Sequence, residues 1–123
     1  MSYSIAVDDQ QTLVVVKYAG TVTLDERARG VNESVVLLNS TGYRNVLVDL
    51  SASTVVFRSD EEQSNFATLL SSNEVLRQCK TAYLTGHGGH SNDYIEMLAY
   101  TRHFKCRHFT DIEAAYQWFR CGE

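Results

Sequence analysis

The segment Gly86-His87-Gly88-Gly89-His90 is the most unusual local sequence in this chain. Three glycines free the backbone to bring amide groups close to an anion. The segment lies between a short apolar stretch and Ser91-Asn92, a pair able to open a helix whose dipole favours negative charge. A small anion is the ligand this chemistry suits. The Gly-Lys-Ser/Thr ending of a phosphate-binding loop is missing, and the glycine spacing is not that of a dinucleotide fingerprint. His87 and His90 stand three apart, but two imidazoles without a third ligand nearby in sequence make a poor metal site, so no metal and no cofactor are expected. A plain connecting turn is the competing explanation, because glycine-rich strand-to-helix loops are often no more than that.

In open parallel sheets, ligands bind outside the C-terminal ends of the strands. Asp49, Ser51 and Ser53 leave one such end and Gly86 to His90 leave another, so these residues are expected to share a rim within reach of Arg58. Asp49 could equally serve the fold by accepting loop amides. Arg102, His103, Lys105, Arg107 and His108 concentrate positive charge in seven residues. They suit an acidic partner, or else the negative end of the preceding helix. Cys79, Cys106 and Cys121 are odd in number and lack CxxC spacing, which predicts reduced thiols, with Cys106 in the core and the other two exposed near helix ends. No residue is predicted to be catalytic. The sequence shows no nucleophile beside a base and no paired acid and base, so an enzyme is not expected.

The elements that must position these groups follow from periodicity. Ser4 to Val7 and Thr12 to Ala19 are short β-rich stretches separated by Asp8-Asp9-Gln10-Gln11, a hairpin pattern. Thr23-Leu24-Asp25-Glu26 is a capping box. Behind it, Leu24, Ala28, Val31, Val35 and Leu38 form the apolar stripe of a helix that stops at Gly42. Asn45 to Leu50 is a strand apolar enough to be buried on both faces. Residues 51–58 are expected to be a loop whose Val56 and Phe57 tuck beneath the second helix. Ser59-Asp60-Glu61-Glu62 is a second capping box, and its helix should break near Ser71-Ser72-Asn73. A strand over Thr81 to Thr85 precedes a helix capped by Ser91 or Asn92, with Tyr94, Ile95, Leu98 and Arg102 on one side. A last strand, Cys106 to Phe109, runs into a third capping box at Thr110-Asp111-Ile112-Glu113 and a helix with Ile112, Ala115, Trp118 and Phe119 inward.

The order ββαβαβαβα demands an α/β layer fold with a mixed, mostly parallel sheet and helices packed on it. With 123 residues, the chain is read as a single domain over 1–123. A net charge of -4 provides no general attraction for polyanions, so nucleic acid is not an expected partner. No apolar run approaches the roughly 20 residues of a membrane span, and Met1 to Asp9 does not read as a signal peptide. Together with the free thiols, this predicts a cytoplasmic protein. Homodimerisation through an exposed sheet edge is a further expectation.

Over nearly its whole length the chain resembles the SpoIIAA-like, or STAS, family of small bacterial domains. The resemblance rests on the strand ending Val46-Leu47-Val48-Asp49-Leu50-Ser51, on Gly20-Thr21-Val22-Thr23 before the first helix, and on the ending Phe109-Thr110-Asp111-Ile112-Glu113-Ala114-Ala115-Tyr116-Gln117-Trp118-Phe119. That ending is similar to the close of SpoIIAA-like proteins grouped with STAS and CRAL-TRIO folds. The resemblance implies a non-enzymatic domain acting in protein interaction, signalling or ligand sensing. Family members that antagonise anti-sigma factors carry an Asp-Ser-x-Gly-like phosphorylation stretch at the second helix. Here Phe57-Arg58-Ser59-Asp60 stands in that region, leaving Ser59 as a candidate phosphoacceptor without the flanking acid and glycine, and with a helix cap to explain it. The leading reading is a regulatory or protein-interaction domain without the phosphoserine switch. The alternative is a binding protein for a small anionic or lipid-like ligand at the rim of Asp49, Ser51, Arg58 and Gly86 to His90.

Overall fold

β-Branched residues crowd the stretch from Leu13 to Val22 and again from Val46 to Val56, and both stretches form long strands. The computed structural model describes residues 3–86 and 89–121. Its elements are β1 (Tyr3–Asp8), β2 (Leu13–Thr23), α1 (Leu24–Thr41), β3 (Asn45–Val56), α2 (Asp60–Ser72), α3 (Glu74–Arg77), β4 (Lys80–Leu84), α4 (Asp93–Thr101), β5 (Cys106–Phe109) and α5 (Ile112–Cys121). The five strands lie in sequence order in one sheet. β1 is antiparallel to β2 and the other three pairings are parallel, which is the mixed α/β architecture expected.

Alternation along β3 divides the core in two. Val46, Val48 and Leu50 join the larger cluster with residues of α1, α2, α3 and α4, whereas Leu47 joins Leu13, Ala82, Leu84, Ala115 and Phe119 beneath α5. Four helices thus cover one face and α5 covers the other. Lys80 fixes α5 from below, its ammonium donating to the Trp118 carbonyl at 3.0 Å and lying 5.4 Å from the indole centroid. Among the described residues, no helix is long and apolar enough to cross a membrane.

The expected loop at residues 51–58 is largely strand. β2 shifts register between Lys17 and Ala19, and the β2/β3 ribbon then runs on from Ala19↔Ala52 to Thr23↔Val56, past the point where β4 ends opposite Asp49. Thr21-Val22-Thr23 facing Thr54-Val55-Val56 explains the extension, since β-branched side chains pack well across such pairs. The two-residue period turns Val55 inward. Val56 and Phe57, expected beneath α2, are 39% and 44% exposed.

α1 also differs from expectation. Its most buried line is Leu24, Arg27, Gly30, Ser34 and Leu38, while Ala28, Val31 and Val35 lie half-buried beside it. The rotation follows from Tyr18. A Cβ on Gly30 would lie 2.1 Å from the Tyr18 hydroxyl oxygen, so glycine alone lets the ring lie against the helix, and that hydroxyl donates to the Arg27 carbonyl at 3.2 Å. Ser34 satisfies its own hydroxyl on the Gly30 carbonyl at 2.7 Å. Arg27 is 1% exposed, with its guanidinium carbon 5.0 Å from the Phe66 ring centroid, 5.5 Å from Tyr18 and 5.9 Å from Tyr83.

The helix starts follow the expected chemistry only in part. Thr23 and Glu26 form the full reciprocal box, and Gly42 closes α1 at φ 78°. The Ser59 hydroxyl accepts the Glu62 amide at 3.1 Å, but the Glu62 carboxylate returns to the Arg58 amide rather than that of Ser59. Asn73 interrupts the second helix as expected and caps α3 through Val75 and Leu76. Neither Ser91 nor Asn92 caps α4 with its side chain: Ser91 accepts the Val55 amide at 3.1 Å, and Asn92 is bonded elsewhere. At α5 the acceptor is Asp111, one residue later than Thr110. Cys79, expected at the surface, is fully buried, whereas Cys121 is exposed and Cys106 half-buried. Burial raises the Cys106 thiol to a pKa of about 12.

Two outcomes test this core. Gly30→Ala gains helix propensity but drives a methyl into Tyr18, and a net loss of about 1–3 kcal/mol is expected from urea unfolding. Arg27→Ala, which empties the slot between three rings, should cost about 3 kcal/mol or more, and Arg27→Met, which refills it, at least about 1 kcal/mol less. Equal losses for the two would show that the Arg27 charge and hydrogen bond outweigh its packing.

Candidate functional site

Parallel strands that end together leave their C-terminal groups side by side, and β4 and β5 do so here, beside β3 at Asp49, where β3 itself runs on. The β4/β5 pairing continues one residue beyond Leu84, with the Thr85 amide donating to the Phe109 carbonyl at 3.0 Å. Just beyond, the Gly89 amide donates to the Gly86 carbonyl at 3.1 Å. Gly86 lies against β3, where a Cβ would stand 3.6 Å from the Ser51 carbonyl oxygen.

The structure therefore brings Ser51 and Gly86 together, with Gly89 and His90 following on. His87 and Gly88 lie outside the described residues. Asp49 accepts both the amide (2.9 Å) and the hydroxyl (2.6 Å) of Ser51, the loop-amide role open to it. Arg58 is placed differently, beyond the end of the β2/β3 ribbon. Its guanidinium bonds Glu62 at 2.6 Å and stands 4.0 Å from Asp25, and this partner holds the Glu62 carboxyl below its ordinary range. Ser59 is exposed at the α2 N-terminus beside Asp60 and Glu61.

Beside the glycine turn, α4 and β5 assemble a group that the sequence reading did not isolate. The His108 Nε2 contacts the Thr85 hydroxyl, which leaves Nδ1 facing two carboxylates, Glu96 Oε1 at 3.6 Å and Asp93 Oδ1 at 3.9 Å. His90 Nδ1 lies 3.0 Å from the other Asp93 oxygen. Glu96 Oε2 accepts from the Asn92 amide at 3.0 Å, and the Asn92 oxygen accepts from Arg27 Nη1 at 2.9 Å. Burial raises the Glu96 carboxyl above its ordinary range, while Asn92, His108 and Arg27 act in the opposite sense. An unbroken line of side chains thus joins the buried guanidinium to the rim. Arg27 and Thr81 also line a core cavity of about 20 Å³, room for about one water and for no organic ligand.

The positively charged segment does not act as one surface. The Arg102 guanidinium crosses to α2, donating to the Ser64 carbonyl (3.0 Å), the Thr68 hydroxyl (2.8 Å) and the Ser64 hydroxyl (3.0 Å), and His108 belongs to the carboxylate group. His103, Lys105 and Arg107 remain exposed. Sequence spacing did carry a signal for the missed group. Asp93 and Glu96 are three apart in the first turn of α4, and His108 pairs with Tyr83 in the parallel register. Which strand position would face that turn depends on tertiary packing.

α4 has a third side. Tyr94, Met97 and Tyr100, at successive turns, are 39%, 53% and 68% exposed, while Ile95 and Ala99 are fully buried. The helix cannot rotate to hide the first three without exposing the last two.

No protein-family model matches the chain, and no curated protein matches it. Among solved structures, it is similar to an uncharacterized protein of the DUF3478 family with a SpoIIAA-like fold from Shewanella loihica PV-4. The TM-score is 0.60 at 14% identity, over 95% of this chain and 91% of that one. At that identity the likeness is one of fold, and the fold of this chain is SpoIIAA-like, as its sequence resemblance implied.

Proposed function

We propose that the chain is a non-enzymatic protein-interaction domain whose partner surface is the outward face of α4 and whose partner is a second copy of the same chain. The observation that carries this reading is the row Tyr94, Met97 and Tyr100, exposed on a helix already locked into the core from its other side. Tyrosine and methionine are residue types enriched at interfaces. Charge favours self-association over an arbitrary apolar contact. α4 opens with Asp93 and is followed by the exposed His103 and Lys105, so two copies laid antiparallel set the acidic end of each over the basic end of the other. One two-fold axis then lets the same patch serve both chains. The SpoIIAA-like fold agrees in general terms with a domain that binds rather than catalyses.

A small anionic ligand at the rim has less support. The acidic side chains of Asp49, Asp93 and Glu96 stand at the rim, a setting unfavourable to an anion, and Arg58 is engaged by Glu62 instead of reaching it.

Sedimentation velocity over a wide concentration range tests the proposal. A reversible dimer is expected. Met97→Asp and Tyr100→Asp should each weaken it at least about tenfold, about 1.4 kcal/mol, with unchanged circular dichroism. A wild-type protein that stays monomeric throughout, or variants that dimerise like wild type, would overturn it.

Ser59 enters as a helix cap outside this surface. Ser59→Ala should cost about 1 kcal/mol in urea unfolding. Ser59→Asp, which retains an acceptor, should stay within about 0.5 kcal/mol of wild type and dimerise equally well. A change in dimer affinity on Ser59→Asp would instead restore a phosphorylation switch.

A further inference from the structure

We infer that Asp93, Glu96 and His108 form a binding site for a divalent transition-metal ion, with zinc the best match. The donor atoms of these three side chains lie within 4.8 Å of one another, with His108 Nδ1 3.6 Å from Glu96 and 3.9 Å from Asp93. Ligands about 2.0–2.1 Å from a tetrahedral zinc stand about 3.4 Å apart, so small rotations of two exposed or half-exposed side chains close the site. An imidazole nitrogen with two carboxylates selects zinc and its neighbours over magnesium, which prefers oxygen ligands and keeps its waters. Two carboxylates also neutralise a dication in full. The ligand set leaves a fourth position open to water or to a donor from outside the chain.

The surroundings are those of a metal site and not of a loose surface cluster. A ligating histidine is ordinarily oriented by a hydrogen bond at its other ring nitrogen, and Thr85, nearly buried, makes that contact with His108 Nε2. Glu96 is held through its second oxygen by Asn92, itself fixed by the buried Arg27, and Asp93 is held through its second oxygen by His90. Each of the three ligands therefore has one atom tethered and one turned to the common centre. The groups come from α4, from β5 and from the residue after β4, so this centre exists only in the folded chain. The sequence reading expected no metal, because it saw only His87 and His90 three apart; this centre is built from one histidine and two acids brought together by the fold.

The inference does not depend on dimerisation, and its test separates the two. Chelator-treated protein carrying Cys121→Ser, to remove the exposed thiol, is titrated with zinc by calorimetry, alone and with Met97→Asp added. One ion per chain should bind saturably in both backgrounds and raise the melting temperature. Asp93→Asn, on an exposed side chain, and His108→Gln should each weaken zinc binding at least about tenfold. Thr85→Val, which removes only the orienting hydroxyl, should weaken it by about tenfold. Magnesium at the same concentration should not bind. Absent or unsaturable zinc binding, affinity indifferent to Asp93→Asn and His108→Gln in correctly folded protein, or equal affinity for magnesium would each overturn the inference.

Discussion

A guanidinium shut inside the larger core cluster is the constraint around which this molecule is arranged. Burying a charge is costly unless it is compensated, and no acid lies in direct hydrogen-bonding contact with Arg27 among the described residues. Its compensation is distributed. Three aromatic faces surround it, each attractive by about 0.5–2 kcal/mol, and the weak hydration of guanidinium makes it the cation least penalised by such a setting. Nη1 adds a hydrogen bond to Asn92, and the acidic side chain next along that line is Glu96, which accepts from Asn92. Remove any ring and the balance shifts toward exposure.

Much of the local geometry follows from holding that group. Tyr18 must bring its hydroxyl end against α1, which demands glycine at position 30 and rotates the helix so that a line through Arg27, Gly30 and Ser34 faces the sheet. Asn92 must spend its oxygen on Arg27 and its amide on Glu96, so α4 begins without the side-chain cap its sequence advertises. The missing cap and the anchored Glu96 both follow from the way one side chain, Asn92, is held.

These dependencies explain which parts of the structure were legible in the sequence. Strand alternation in Val46-Leu47-Val48, the Thr23/Glu26 box, the Gly42 stop and the break at Asn73 are local patterns read within a few residues, and the structure contains all of them. The α1 face was misplaced because hydrophobicity stood in for burial, and an arginine, a glycine and a serine are the residues such a criterion discards. The loop at residues 51–56 became strand because its partner, Thr21-Val22-Thr23, lies thirty residues away. At the rim, the glycine turn and Ser51 could be placed by the general rule for strand ends. Asp93, Glu96 and His108 could not, since their meeting depends on how α4 lies over β5. His108 was legible only as a positive charge.

α4 concentrates these constraints in nine residues. Ile95 and Ala99 anchor it, Asp93 and Glu96 turn toward His108, and Tyr94, Met97 and Tyr100 face outward, which leaves almost no position without an assignment. Two carboxylates converging in one turn would repel each other. Their position offsets this, because the unpaired amides at a helix N-terminus carry partial positive charge, the Asn92 side-chain amide donates to Glu96 Oε2, and His108 faces Glu96 Oε1 and Asp93 Oδ1. The first turn of α4 therefore holds its two acidic side chains close together. That arrangement fixes two acidic side chains, together with His108, at the rim where α4 meets the ends of β4 and β5.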